Sequence, residues 1–285
     1  MRSFLDVRTL SFITGIIYLI LFLTMVYVYT TRKTYPGFRE WVVAFFLAFA
    51  GLLFISLRGI VPDYLSIIVG NLFAAAQVVL IDYGLVAFTE GKQRMGWHIL
   101  SLAFLMTMFL YFTYYSPIVN IRIIIFSGII ALYCIHCIII IYKRIPLILR
   151  ASNWLLIVAL SFAALWYALR FFFTLFLEDK ISDFMVAGSV HGLTLIISFA
   201  ANILIALGLI IVNLQRVEHD FLMVKNEIKT LKGFLPICSS CKKIRDDKRY
   251  WTQLEAYIRD HSEAEFSHGL CPDCMRKLYP GLAGE

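Results

Sequence analysis

The sequence predicts an all-α membrane protein whose main part is a seven-transmembrane helix bundle. Hydrophobic residues make up 60% of the 285 residues and charged residues only 16%, a balance that does not suit a water-soluble globule of this length. The apolar residues also fall in runs of about 20, the length that a helix needs to cross the hydrocarbon core of a bilayer. These runs place the bundle in residues 1–213, with spans at 11–30, 41–59, 65–88, 97–115, 119–142, 152–177 and 185–213.

The orientation of the bundle is predicted from the charges of the loops between the spans. The loops after the first, third and fifth spans are basic and contain Arg32, Lys33, Arg39, Lys92, Arg94, Lys143, Arg144 and Arg150. The opposite loops are acidic and contain Asp63, Glu178, Asp179 and Asp183 beside Lys180. Short loops rich in Lys and Arg stay in the cytoplasm, so the amino terminus is predicted outside and the carboxy terminus inside. Indole rings favour the membrane interface, and Trp41, Trp97 and Trp154 begin spans on the same predicted cytoplasmic side.

The net charge of +7 belongs mainly to these loops. From Arg216 onward, twelve basic residues are nearly balanced by eleven acidic ones. The excess is therefore interpreted as a topology signal that also contacts anionic membrane lipids. No basic stripe of the kind that binds nucleic acid is present, so no nucleic-acid partner is expected.

An apolar heptad seam continues beyond the seventh span, in residues 214–235. Its members recur at alternating steps of three and four: Leu214, Val217, Phe221, Val224, Ile228, Leu231 and Leu235. This spacing predicts a coiled-coil-like helical linker that joins two chains as a homodimer. The alternative is an amphipathic helix that packs its apolar stripe on the rest of the tail. Gly233 and Pro236 are expected to end the helix.

The segment 236–280, followed by a short tail at 281–285, is organised around four cysteines. Cys238 and Cys241 form one Cys-x-x-Cys, Cys271 and Cys274 form another, and a helix is predicted between them, from Trp251 to His261. One tight turn can present two thiolates to one ion, and two such turns complete the tetrahedral four-sulfur site that zinc prefers. About 50 residues bury too little apolar surface to fold securely without such support. The sequence therefore predicts a small, cytoplasmic, zinc-ribbon-like module with zinc as its cofactor.

Other uses of the cysteines are weaker, but not all are excluded. Disulfides are disfavoured in a reducing cytosol, whereas a thiol redox switch stays open. Covalent haem attachment is excluded because neither Cys-x-x-Cys is followed by His. His261 and His268 could replace a thiolate ligand, but the complete set of four cysteines favours positions on the surface or beside the ligands for them. Cys134 and Cys137 form a third Cys-x-x-Cys around His136 in the fifth span, where we interpret them as packing residues.

Ionisable side chains inside membrane spans are costly, so each suggests a function. Arg58, Arg122, Arg170 and His191 are expected at similar depth in the outer half of the bundle, and Asn71 adds a hydrogen-bonding group at middle depth with Gln77 and Asn202. Asp82 is expected in the inner half. These positions predict a pocket, open to the outside, that binds a small anionic ligand through Arg58, Arg122, Arg170, His191 and Asn71. In the alternative, Arg58 and Arg122 extend to the interface, and Arg170 pairs with Asp63 or Glu178 to hold the bundle together.

Two stretches resemble known bacterial proteins. SLRGIVPDYLSIIVGNLF, from Ser56 to Phe73, resembles the second and third spans of the seven-helix sensor modules that precede bacterial diguanylate cyclases (GGDEF proteins), a resemblance extending over residues 1–215. The segment from Leu231 to Pro280, with LPICSSCKKIRDD, YWTQLEAYI, EAEFSHGLCPDC and LYP, resembles a cysteine module that ends many bacterial signalling proteins, often after receiver or PAS domains. The second resemblance implies that the four tail cysteines are metal ligands.

The two resemblances together imply a receptor in the inner (plasma) membrane of a bacterium, with a cytoplasmic signalling protein as a possible partner. About 70 residues follow the last span, and no GGDEF, phosphoacceptor His, Walker or Ser/His/Asp motif occurs among them. We therefore expect a non-enzymatic receptor. The alternatives are a membrane-bound thiol redox sensor or oxidoreductase, which needs the tail cysteines to cycle, and a transporter, which needs a polar pathway across the membrane.

Overall fold

The structure, a computed structural model, describes residues 7–92, 95–149, 153–178, 181, 189–232, 236–245, 250–261, 267 and 269–279. Within these ranges, seven helices are long and apolar enough to cross a membrane, which confirms the predicted membrane-spanning bundle. They are α1 (Val7–Thr31), α2 (Phe38–Ser56), α3 (Gly70–Phe88), α4 (Met95–Leu110), α5 (Val119–Leu149), α6 (Trp154–Phe176) and α7 (Ser189–Lys232).

Two spans include a π-helical segment. Tyr64–Val69 leads directly into α3, and Tyr111–Tyr115 extends α4. The third and fourth spans are therefore Tyr64–Phe88 and Met95–Tyr115, close to the predicted limits. The main difference in length is at α5, which runs beyond the predicted end through Pro146. Helix α7 continues to Lys232, through most of the predicted helical linker.

Consecutive spans run in opposite directions, so the connections fall at two ends of the bundle. We call the end with the α2–α3, α4–α5 and α6–α7 connections the A end. The end with the α1–α2, α3–α4 and α5–α6 connections is the B end. The loop charges predict that the A end faces outside, and this orientation stays a prediction.

The first three helices pack side by side in chain order, with α2 between α1 and α3. Helix α5 packs against α3 and α6. Near the B end, Phe38, Trp41 and Phe88 form a fully buried aromatic group. The indole Nε1 of Trp41 donates to the Ile81 carbonyl at 3.3 Å, so this ring is enclosed by protein. Trp97 and Trp154, in contrast, are exposed.

The backbones of α2 and α3 approach each other closely at the B end through glycine. Gly37, which precedes α2, has a φ of 97° and lies in the left-handed region. A Cβ added to Gly37 would lie 2.1 Å from the carbonyl oxygen of Gly84, and a Cβ added to Gly84 would lie 2.3 Å from Nε1 of Trp41. Helix interfaces in membranes use small residues for this kind of contact. A side chain at either position would push the two helices apart.

We therefore expect Gly37→Ala to destabilise the bundle by about 2 to 5 kcal/mol, because left-handed strain and overpacking add together. Thermal unfolding in detergent would measure the effect. Gly96→Ala is the matched control, since a Cβ at Gly96 meets no heavy atom within 4 Å. Equal melting temperatures for the Gly37 variant and the parent would contradict this view of the α2–α3 contact.

The chain divides into two compact units, Met1–Asp220 and Phe221–Glu285. In the second unit, β1 (Ile244–Arg245) pairs antiparallel with β2 (Trp251–Thr252), and α8 (Leu254–His261) and α9 (Pro272–Leu278) follow. The predicted start of the tail helix at Trp251 is wrong. Trp251 and Thr252 instead pair with the strand before them, as aromatic and β-branched residues favour.

Candidate functional site

A cavity of about 180 Å³ lies inside the bundle toward the A end. Its lining includes all five side chains that the sequence predicts to bind a ligand. They come from five different segments: Arg58 from the α2–α3 connection, Asn71 from α3, Arg122 from α5, Arg170 from α6 and His191 from α7. The fold thus brings them to one cavity.

Arg170 is a structural group at the edge of this cavity. Its buried Nη1 lies 3.0 Å from Oε2 of Glu178, and Thr174 donates to the same oxygen at 2.9 Å. Its Nη2 lies 3.0 Å from Nδ1 of His191, which links α6 to α7. Of the two partners considered from the sequence, the structure selects Glu178. The charge of Arg170 is therefore compensated within the protein.

The polar groups at the middle of the cavity are hydrogen-bonded to one another. Gln77 Nε2 donates to Asn202 Oδ1 at 2.6 Å, and Asn202 Nδ2 donates to the Ser198 carbonyl at 2.9 Å. The hydroxyl groups of Tyr167 and Ser198 are 2.9 Å apart. Asn71 donates to the carbonyl of Ile67 at 2.7 Å. These bonds connect α3, α6 and α7 and leave the middle of the cavity polar but internally paired.

The A-end side of the lining includes Arg122 and Ser66. Arg122 is buried, and its Nη1 donates to Thr113 at 3.0 Å. Ser66, in the π-helical segment before α3, is only 1% exposed. Its Oγ has no hydrogen-bond partner among the residues that the structure describes. A buried hydroxyl without a partner is uncommon. Ser66 could not be recognised from the sequence, because a serine in a helix commonly bonds to its own backbone, as Ser11 and Ser56 do here.

A second polar cluster, nearer the B end, was also missed. The carboxylate of Asp82 is fully buried, with Oδ1 at 2.5 Å from Nδ1 of His136 and 3.5 Å from Sγ of Cys137. Its Oδ2 lies 3.8 Å from Nε2 of His98, and Nδ1 of His98 lies 3.2 Å from the hydroxyl of Tyr133. The cluster joins α3, α4 and α5. Cys134 packs in the core as expected. His136 and Cys137, in contrast, contact the buried carboxylate of Asp82.

Helix α7 is held at the B end by a set of polar contacts. Asn213 is fully buried; its Nδ2 donates to the Lys33 carbonyl at 3.1 Å, and its Oδ1 accepts from the Tyr35 amide at 3.2 Å. Arg216 donates to Glu90 and to the Phe88 carbonyl, and its guanidinium lies 4.2 Å from the centroid of the Tyr35 ring. We call this set the B-end contact; its members are Tyr35, Glu90, Asn213, Arg216 and Asp220.

Tyr35 completes the B-end contact by donating its hydroxyl hydrogen to Asp220. Burial and the neighbouring Asp220 carboxylate raise the pKa of Tyr35 to about 12. The hydroxyl therefore stays protonated at neutral pH and remains a donor. The contact ties α7 to the α1–α2 connection.

In the tail, each Cys-x-x-Cys forms a turn that brings its two thiols together. The Cys238 amide donates to the Lys243 carbonyl at 2.8 Å, and the Lys242 amide donates to the Cys238 carbonyl at 3.0 Å. The amide groups of Cys241 and Ser240 face Sγ of Cys238 and lower the pKa of its thiol. Cys271 immediately precedes α9, and the amide of Cys274, in the first turn, lowers the pKa of the Cys271 thiol.

The structure brings the cysteines together within each pair but not across the pairs. Among the described residues, no three His, Cys, Asp or Glu side chains are placed to hold one metal ion. His268 and the side chain of His261 lie outside the described part of the chain. The zinc site therefore stays a prediction.

Three described members of the heptad seam, Leu214, Phe221 and Val224, are exposed, whereas Val217 is half-buried. Phe221 is 66% exposed and Val224 is 56% exposed, on a helix that continues without a break from the bundle. The side chains of Ile228, Leu231 and Leu235 lie outside the described part of the chain.

No protein-family model, curated protein or solved structure matches this chain. The function therefore has to be argued from the geometry of its sites, since a bundle of helices by itself implies no particular activity.

Proposed function

We propose that this protein is a non-enzymatic signal receptor in a bacterial plasma membrane. A small ligand enters the bundle from outside at the A end and occupies the cavity. Its binding changes the position of α7, and α7 carries the change across the membrane to the cysteine module on the cytoplasmic side. The observation that carries this proposal is the continuity of α7, which lines the cavity and runs as one helix of 44 residues from Ser189 to Lys232.

The contacts of α7 suit this role. It contributes His191 near the A end and Ser198 and Asn202 at the middle of the cavity, and each contacts another helix. At the B end Asn213 and Arg216 tie it to the α1–α2 connection and to the end of α3. A helix with defined partners at both ends can move only by exchanging one set of contacts for another. Such a two-state element is what a receptor requires.

The exposure of Phe221 and Val224 supports the homodimer as the output state. Large apolar side chains on the exposed face of a helix gain stability by pairing, and their heptad spacing matches a two-stranded coiled coil. A movement of α7 would change the register or the separation of the two linkers, and with them the positions of the two cysteine modules. A cytoplasmic signalling protein is the expected reader of that change.

The two cysteine turns fit zinc by the chemistry of their donors. Each turn presents two sulfurs at one place, and amide groups favour the thiolate form of Cys238 and of Cys271. Thiolates are the form that binds zinc. Cys238 and Cys241 would supply half of the site, and Cys271 and Cys274 the other half. Because the two pairs lie apart in the structure, zinc binding would be coupled to the final folding of the tail.

The lowered thiol pKa values also favour one alternative, a thiol redox sensor in which the same cysteines form disulfides. Free-thiol counting separates the two functions. A zinc site protects its thiols until a chelator is added, whereas a redox sensor loses them to oxidant with no metal present.

The receptor proposal can be tested by placing a photo-crosslinking amino acid at Lys225, which flanks the seam. We expect the parent to crosslink as a dimer in membranes. Asn202→Leu breaks the hydrogen bond to Gln77 and should shift the linker equilibrium by about fivefold, the lower end of usual coupling strengths. Leu204→Ala, on an exposed face of the same helix, is the matched control and should leave the yield unchanged.

The same assay tests two hypotheses separately: that the chain forms a homodimer, and that the cavity is coupled to the linker. Val224→Asp places a charge on the seam and should abolish crosslinking. If Val224→Asp abolishes it but Asn202→Leu leaves it as in the parent, the proposed coupling between cavity and linker is wrong. If the parent itself does not crosslink, the homodimer is wrong.

A further inference from the structure

We infer that the cavity takes a small amphipathic monoanion, a carboxylate attached to an apolar body of about five to ten heavy atoms. The inference rests on the proposed function in one respect, that the cavity is a ligand site. Four observations support it: the volume of the cavity, the charge of its lining, the orphan hydroxyl of Ser66 and the location of its apolar walls.

The volume limits the size of the ligand. A dry, engineered apolar cavity of about 150 Å³ is known to bind benzene. The cavity here, at about 180 Å³, has room for a body of that size with one small polar group. Sugars with many hydroxyl groups, nucleotides and long acyl chains are too large or too polar to be enclosed in it.

The charge of the lining selects an anion. The described residues that line the cavity include the guanidinium groups of Arg58, Arg122 and Arg170 and no carboxylate. Glu178, at the edge, compensates Arg170. A guanidinium group presents a planar pair of donors that matches the two oxygens of a carboxylate. A single carboxylate is therefore the head group that this lining suits.

Ser66 places the head group toward the A end. Its buried Oγ can donate one hydrogen bond, and no acceptor among the described residues takes it. Ser66 lies in the segment before α3 and Arg122 lies in the first turn of α5, so both are at the A-end side of the lining. A carboxylate can accept from both. The polar groups farther in, Gln77 and Asn202, already bond to each other.

The apolar body is expected deeper in the bundle. Ile130, Leu160, Ala163 and Ile205 are buried and line the cavity from α5, α6 and α7. Burial against them would stabilise a short alkyl chain or one aromatic ring. Ala163 has the smallest side chain of these four, so a larger residue at this position would occupy the space intended for the body.

The test uses the whole 285-residue chain in lipid nanodiscs, with hexanoate and benzoate as probes. Hexanol and benzyl alcohol are neutral probes of the same size, and succinate is a dianion. Thermal stability is measured for the parent and for Ser66→Ala, Arg122→Gln and Ala163→Leu. Leu165→Ala, on an exposed face of α6, reports effects of the probes on the lipid.

We expect hexanoate and benzoate to raise the melting temperature of the parent and of Leu165→Ala, and the neutral and dianionic probes to do so at concentrations at least about tenfold higher. Ala163→Leu should fold and lose the stabilisation by every probe, because its side chain fills the cavity. Ser66→Ala should keep the stability of the parent and weaken carboxylate binding by about tenfold or more, since a hydrogen bond to a charged group is lost. Arg122→Gln should lose the preference for carboxylates.

Two outcomes would overturn the inference, and they differ in what they say of the receptor proposal. If the alcohols bind as well as the carboxylates and Ala163→Leu abolishes both, the cavity is a ligand site but not one for anions. If no probe gives a stabilisation that Ala163→Leu removes, the cavity does not take small ligands, and the ligand step of the receptor proposal is wrong as well.

Discussion

Cys271→Ser is expected to remove zinc from the protein and to unfold the cysteine module, while the seven helices stay inserted in the membrane. The parent should contain one zinc ion per chain by elemental analysis. Modules of this size depend on the ion for their fold, so the loss of one thiolate removes the ion and the fold together. Limited proteolysis of the tail and the circular dichroism of the bundle would measure the two parts separately.

Cys134→Ala provides the control for this prediction, because Cys134 is buried in the bundle core. It should keep the full zinc content. Full zinc occupancy in Cys271→Ser would contradict the assignment of the four tail cysteines as ligands. Complete accessibility of the tail thiols in the parent, without chelator, would contradict it too and would favour the redox alternative.

Arg170→Gln should destabilise the bundle by about 3 to 5 kcal/mol, because it leaves the carboxylate of Glu178 buried without its partner. The Arg170 side chain is 2% exposed and that of Glu178 is 14% exposed, so water can compensate little of the loss. The substitution also removes the contact with His191 that links α6 to α7. Unfolding in detergent, by heat or denaturant, would measure the change.

The double variant Arg170→Gln with Glu178→Gln tests whether the lost stability comes from the unpaired carboxylate of Glu178. Removing both charges leaves no isolated carboxylate, so most of the lost stability should return. If the single variant is as stable as the parent, the ion pair contributes nothing, and Arg170 would have to be reconsidered as a ligand-binding residue. Ligand charge is better tested at Arg122, which lines the cavity and donates to the hydroxyl of Thr113.

The spans could be predicted closely from the sequence. Six of the seven described helices begin within a few residues of their predicted start, and 185–188 lie outside the described part of the chain. This accuracy has a simple cause, since a run of apolar residues long enough to cross the bilayer has few other stable conformations. The tail was less predictable. Trp251 and Thr252 lie in a strand because of the partner strand at Ile244, which no local pattern indicates.

The candidate site could be predicted in part for the same reason. Depth in a membrane follows from position along a helix, at about 1.5 Å per residue. Arg58, Arg122, Arg170 and His191 could therefore be assigned to one level of the bundle, and all four line the cavity at the A end. Costly charges in apolar spans are easily noticed. Ser66 carries no charge, and its lack of a partner is a property of the packed structure alone.

The depth of a residue in the membrane does not determine the direction in which its side chain points. That direction depends on how the helices pack in the bundle. In a soluble helix the apolar stripe marks the buried face, but in a membrane both lipid and protein interior are apolar, so sequence pattern does not distinguish them. The structure alone shows that Trp41 is enclosed by protein and that Asp82 contacts His136 and Cys137. The choice of Glu178 over Asp63 by Arg170, and the tie between Asn213 and the α1–α2 connection, likewise depend on which helices become neighbours.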